Sequence, residues 1–205
     1  FYYFWIITNT LIMKKLIYLF LTVLIVACSD DNSVSVTTTP EIGDFRDGGI
    51  VFWIDASGQH GLVCAVENQG GIGMASDPFG NPLPEGLVTS TAMGTGSLNT
   101  DAIIAAIGGI EADYAAALVR SYNGGGFSDW YLPSRDELNE MYFNKETINT
   151  SSNINGGSTF PVGDFEYWSS STYNESMFFA QNFDDGEQRG KGHSNRHQVR
   201  AIRSF

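Results

Sequence analysis

The chain has 205 residues, 42% apolar and 13% aromatic, which is enough for one sizeable core. Its formal net charge of −12 argues against nucleic acid as the main partner, because a surface that holds phosphates must be positive. Twenty-three glycines and only 17% charged residues predict many turns and a strand-rich fold.

Residues 1–12, "FYYFWIITNTLI", precede a better start at Met13 and read as an overcalled beginning of the frame, so they are set aside from the fold. Residues 13–27 read as a lipoprotein signal peptide. Lys14 and Lys15 give a positive start, and the apolar run 16–26 is short for a permanent membrane span. Ile25-Val26-Ala27-Cys28 then resembles the bacterial lipobox, which makes Cys28 the expected lipid attachment and the lipid the only membrane contact. Residues 28–43 are polar and read as a flexible tether. Within it, Ser29-Asp30-Asp31 resembles an acidic signal that exports lipoproteins to the cell surface, so the expected location is the exposed face of the outer membrane. Cys64 is then left alone in "GLVCAV", where it can form no internal disulfide and reads as a small buried hydrophobe.

The expected folded domain covers residues 44–205. Residues 48–66 read as two strands joined by a turn containing Gly and Ser. Residues 67–98 read as loop; their "GGIG" lacks the full dinucleotide fingerprint and the lysine of a phosphate loop. Asn99 or Thr100 is expected to cap a helix through "DAIIAAIGG". A second helix in "EADYAAALVRSY" would bury Tyr114, Ala117, Leu118 and Tyr122 along one stripe, ending at the glycines of "NGGGFSD". In "DWYLPSRDELNEMYFN", Ser134 and Glu137 have the spacing of a capping box, with Leu138, Met141 and Tyr142 facing inward. Asp136, Glu137 and Glu140 fit the helix dipole better than acid–base chemistry. From residue 166 the pattern changes to strands: "EYWSSST", "SMFFAQNF", the turn "DDG", "EQRGKG", the loop "HSNRH" and "QVRAIRSF". His193 and His197 are four apart, but Gly190 and Gly192 argue against the helix that would align them on a metal. Catalytic residues, metal ligands and cofactors are therefore expected to be none.

The pieces Trp130-Tyr131-Leu132-Pro133-Ser134 with Glu137-Leu138, Tyr167-Trp168-Ser169-Ser170 and Val199-Arg200-Ala201-Ile202-Arg203 resemble the Lcl C-terminal domain family, an extracellular bacterial family, over about residues 44–205. The resemblance implies an α+β, C-type-lectin-like fold with two helices beside a twisted, mostly antiparallel sheet and the terminal strands close together. It also implies adhesion or ligand binding rather than an enzyme. The Glu-Pro-Asn, Gln-Pro-Asp and Trp-Asn-Asp tripeptides of calcium-dependent sugar lectins do not occur here. The stretch from Tyr167 to the end also resembles the variable region of proteins diversified by retroelements.

The expected binding residues lie ahead of the last strand: Tyr173, Asn174, Asp184, Asp185, Glu187, Gln188, Arg189, Lys191, His193, Asn195, Arg196 and His197. Loops on a rigid scaffold are where recognition usually sits, and Tyr and Arg are frequent hot spots. The competing reading is a hairpin edge blunted by charge. The expected function is a surface lipoprotein that binds an extracellular protein or glycan noncovalently. The rivals are a structural module of an envelope assembly and an unrecognised enzyme.

Overall fold

The computed structural model describes residues 39–73, 85–107, 109 and 114–205. The expected overcalled start, the expected signal peptide, Cys28 and the expected tether up to residue 38 lie outside them. Residues 39–43, read as tether from the sequence, belong to the folded unit: the Gly43 N–H donates to Val51 O at 2.8 Å and Gly43 O accepts from Ser151 Oγ at 2.6 Å. Thr39–Phe205 is one compact unit. It begins with β1 (Phe45–Arg46), β2 (Gly49–Ile54), β3 (Gly61–Ala65) and β4 (Gly70–Gly73). Four helices follow: α1 (Gly96–Ile107), α2 (Ala115–Arg120), α3 (Arg135–Phe143) and α4 (Lys145–Ile154). The chain closes with β5 (Glu166–Asn174), β6 (Met177–Asn182), β7 (Gln188–Gly192), β8 (Arg196–Val199) and β9 (Ile202–Ser204).

The α+β class expected from the sequence is the one adopted. The strands form two sheets, ordered β1-β2-β3-β9 and β4-β8-β5-β6-β7, where one was expected. All pairings are antiparallel except a single parallel bridge, Tyr167 to Gln198. The early and late strands meet as the family resemblance implies, with Cys64 of β3 opposite Ile202 of β9.

β2 and β3 are buried on both faces, which is why they read as continuous apolar runs. Their alternation still sorts two cores. Val51, Val63 and Ala65 pack with Ile103, the 114–119 segment, Trp130, Trp168 and Phe178. Ile50, Phe52, Leu62 and Cys64 pack with Tyr131, Leu138, Met141, Ile148, Tyr167 and Phe183. Cys64 is a free thiol that burial pushes up to about 11, so it acts as a small hydrophobe.

The capping box forms as its spacing predicts. Ser134 Oγ accepts the Glu137 N–H at 3.3 Å, and Glu137 Oε2 accepts the Ser134 N–H at 2.7 Å. Glu137 also reaches beyond its helix, taking the Gly94 N–H at 2.9 Å, and is fully buried. Its carboxyl is held above the usual range by that burial. Asn99 and Thr100 do not cap α1; the helix starts at Gly96 and both side chains lie inside the domain. Asn99 Nδ2 donates to Ser90 O at 2.7 Å, and Thr100 Oγ1 accepts the Leu132 N–H at 3.0 Å. Helix α4, "KETINTSSNI", was not expected, because it is mostly polar and buries only Ile148 and Ser152.

Arg200, between β8 and β9, has 1% of its surface exposed. Its Nε donates to Asn68 Oδ1 at 2.9 Å, Nη1 to Ala65 O at 2.8 Å and Nη2 to Ser158 O at 2.9 Å. The guanidinium lies 4.6 Å from the Phe160 ring centroid. All three acceptors are neutral, and burial lowers the pKa of the guanidinium. Arg200→Met takes the donors from the Ala65 and Ser158 carbonyl oxygens, while Asn68 Oδ1 keeps the Tyr167 hydroxyl at 3.2 Å, a cost of about 2–4 kcal/mol. Urea unfolding of the purified protein checks this; a midpoint equal to that of the parent contradicts it.

Candidate binding face

Register decides which of the expected binding residues meet. Across β6 and β7, Phe179 pairs with Gly190 and Gln181 with Gln188, while Phe178 pairs with Lys191 and Ala180 with Arg189. Side chains alternate faces along a strand, so Gln188 and Gly190 of β7 lie on one face of the sheet and Arg189 and Lys191 on the other.

The first face carries Tyr173, which is 54% exposed. Its ring sits edge-on to Phe179 at 5.1 Å and lies over Gly190, where a Cβ would come within 2.4 Å of it. The Arg135 guanidinium of α3 stands 5.3 Å from the Phe179 centroid. Gln188 belongs to this side and donates to Arg135 O at 3.0 Å and Gln181 Oε1 at 3.2 Å. The sequence singled out neither Arg135 nor Phe179 as a site residue. Phe179 could have been found from its alternation with the buried Phe178.

The opposite face is built into the scaffold. Phe178 and Ala180 join the core with Trp168. Beside them Lys191 Nζ lies 2.8 Å from Glu166 Oε1, and His197 Nδ1 lies 3.3 Å from Glu166 Oε2. Glu166 is buried, and the His197 ring packs edge-on to Trp168 at 4.5 Å. Burial lowers the His197 pKa, and the Lys191 cation adds to this, against the upward pull of Glu166 and Asp164. The carboxylate is already shared with Lys191, so burial wins and the imidazole is neutral at pH 7. Its Nε2, the Trp168 Nε1 and the His193 Nδ1 are buried with no hydrogen-bond partner among the described residues.

The remaining residues sit at turns. Asn174 Oδ1 accepts the Ser176 N–H at 3.0 Å and shapes the β5–β6 turn. Asn174 and Gly192 both stand opposite Met177, so the β7–β8 turn with His193 and Asn195 lies beside it, and Arg196 follows directly. Asp184 and Asp185 are at the other end of β6, about 17 Å away by strand rise. There Asp185 Oδ1 accepts the Glu187 N–H at 2.8 Å, and Asp184 Oδ1 accepts the Gly163 N–H at 3.3 Å. Glu187 pairs with Arg189 in the open, and that bond holds its carboxyl below the usual range. The structure thus brings Tyr173, Asn174, His193 and Asn195 to one end. Asp184, Asp185 and Glu187 stand at the other, and Lys191 and His197 are turned inward. Arg196 opens β8, whose next residue, His197, meets Glu166 at the start of β5. Among the described residues no three His, Cys, Asp or Glu side chains converge as a metal site would require.

The Lcl C-terminal domain family matches residues 89–203, more than half of the chain. The chain belongs to this family. The matched part of the Lcl C-terminal domain starts after β4, yet β3 pairs with β9 and β4 with β8, so the folded unit begins earlier than the match. The chain is also similar in fold to a fimbrial protein from Bacteroides ovatus known from its crystal structure, with a TM-score of 0.50 and 16% identity. That likeness covers 80% of this chain and 45% of the other, so it spans less than half of the fimbrial protein. No curated protein matches the Lcl C-terminal domain chain.

His197 gives the scaffold a pH dependence of known sign. Between the ordinary imidazole pKa near 6.5 and the lowered folded value, the unfolded chain takes up a proton that the folded one refuses. Stability therefore falls as the pH drops below about 6.5, by at most about 1.4 kcal/mol per pH unit. In His197→Gln that slope between pH 7 and 5.5 should be flatter in urea unfolding. An unchanged slope contradicts the neutral, buried imidazole.

Proposed function

We propose that this protein is a surface lipoprotein whose domain binds an extracellular protein or glycan. Cys28 is the lipid-bearing residue, residues 28–38 the tether, and the Tyr173 end of the second sheet the contact surface. Tyr173 carries this reading. It is an aromatic ring left half in solvent but held from below by Phe179 and Gly190, so it offers contact area at little further loss of conformational freedom. Asn174 beside it and Asn195 in the neighbouring turn are exposed and add hydrogen-bonding groups of both kinds.

Membership of a family read as extracellular supports the setting, as does the fold shared with a fimbrial protein. Binding is favoured over catalysis by what the buried ionisable groups do. Glu137, Glu166, Arg200 and Cys64 are each occupied by a cap, an ion pair, backbone acceptors or apolar packing. Each is consumed in holding the fold.

The test is a screen of the purified protein against extracellular matrix proteins and a glycan array, followed by variants of any pair found. Tyr173→Ala should weaken binding at least about tenfold, the scale of a hot-spot side chain, and leave the unfolding midpoint close to that of the parent. Binding that survives Tyr173→Ala and Asn174→Ala unchanged would place the contact elsewhere and overturn this assignment.

A further inference from the structure

A cleft of about 360 Å³ opens between the loop after β3 and the C-terminal end of α2. Its walls are Glu67, Asn68, Gln69, Ser121, Tyr122 and Asn123, with Leu118 beneath them. The volume is within the range of small-molecule sites. None of these residues belongs to the Tyr173 end.

The floor is rigid. Asn68 Oδ1 receives the Arg200 Nε–H at 2.9 Å, and Asn68 Nδ2 donates to Tyr167 Oη at 3.0 Å. Gln69 Oε1 takes the Ala201 N–H at 2.5 Å, and its Nε2 donates to Glu67 O at 2.7 Å. Gly70 lets α2 come close, since a Cβ there would lie 3.2 Å from Leu118 Cδ2. The Tyr122 ring is fixed edge-on against Trp130 at 5.2 Å. Above this floor the Glu67, Ser121 and Asn123 side chains are exposed. The cleft is therefore set before any ligand arrives, which lowers the ordering cost of binding.

The lining selects a ligand class. It contains one carboxylate, Glu67, and no cation, while the nearby Arg200 is committed to Asn68 Oδ1 and to the Ala65 and Ser158 carbonyl oxygens. An anion has nothing to pair with there, and the acidic chain repels it. Leu118 and Tyr122 alone offer too little apolar surface for a greasy ligand, and one carboxylate does not hold a cation. What fits is a neutral molecule with hydroxyls for Glu67, Ser121 and Asn123 and a C–H face for Tyr122 and Leu118. We propose that this cleft binds a neutral saccharide, of mono- to disaccharide size, independently of the Tyr173 surface.

The test is a titration of the isotope-labelled full chain, followed by amide NMR, with galactose, mannose, N-acetylglucosamine and a sulfated disaccharide up to about 50 mM, the scale of weak sugar affinities. A neutral sugar should produce saturable shifts at residues 67–70 and 118–123. Glu67→Gln and Asn123→Ala should weaken it at least about fivefold with unchanged unfolding midpoints, and Tyr173→Ala should leave it intact. The proposal is overturned by no saturable shift at these residues with any neutral sugar, by a preference for the sulfated probe, or by a response confined to the Tyr173 end. Loss of binding at the cleft leaves the Tyr173 assignment standing, because the two are read at different residues.

Discussion

A cation buried among neutral oxygens governs the architecture. Removing a guanidinium from water costs several kcal/mol, and only acceptors in good geometry repay it. Arg200 finds them in three separate segments: Ala65 at the end of β3, Asn68 in the loop that follows, and Ser158 after α4. Its position explains why this matters. Val199 stands opposite Gly70 in one sheet and Ile202 opposite Cys64 in the other, so Arg200 lies where the chain passes between the sheets. One side chain closes that junction.

The other interior polar groups do similar work. Arg203 holds both oxygens of Asp129, at 2.7 and 2.9 Å, with its guanidinium 3.9 Å from the Phe127 centroid. That pair keeps the Asp129 carboxyl below its usual range. Ser170 donates to Pro133 O at 3.1 Å, and Ser171 Oγ to Ser90 O at 2.7 Å, so β5 is stitched to the entry of α3 and to the loop before α1. Other polar groups stay outside these ties. Those groups are at the β5–β6 and β7–β8 turns and along the cleft above Asn68. Sequence change at Tyr173, Asn174, Asn195 or Arg196 meets solvent, whereas change at Glu166, Trp168, His197 or Arg200 meets the core.

Local chemistry was legible in the sequence and long-range chemistry was not. The Ser134–Glu137 box depends on residues three apart, so it could be read directly; that Glu137 also holds Gly94 could not. β2 and β3 announced themselves by unbroken apolar runs. Nothing local marks Arg200 for burial, because its acceptors come from Ala65, Asn68 and Ser158, far away in sequence. Asn99 and Thr100 looked like caps because their type favours that position, yet Ser90 and Leu132 claim their side chains. The candidate site fared likewise: twelve residues close in sequence are divided by a two-residue period that sends Lys191 inward beside Glu166 while its neighbour Gly190 lies under Tyr173.

The most direct measurement of this division between scaffold and solvent-facing side chains is the stability of a chain in which Tyr173, Asn174, Arg189, Asn195 and Arg196 are all replaced by serine. Solvent-facing groups outside the core network contribute little each, so the expected loss in urea unfolding is below about 2 kcal/mol in total, with an unchanged cooperativity of the transition. A loss above about 4 kcal/mol, or a broadened transition, would contradict it and show that the turn residues hold the fold themselves.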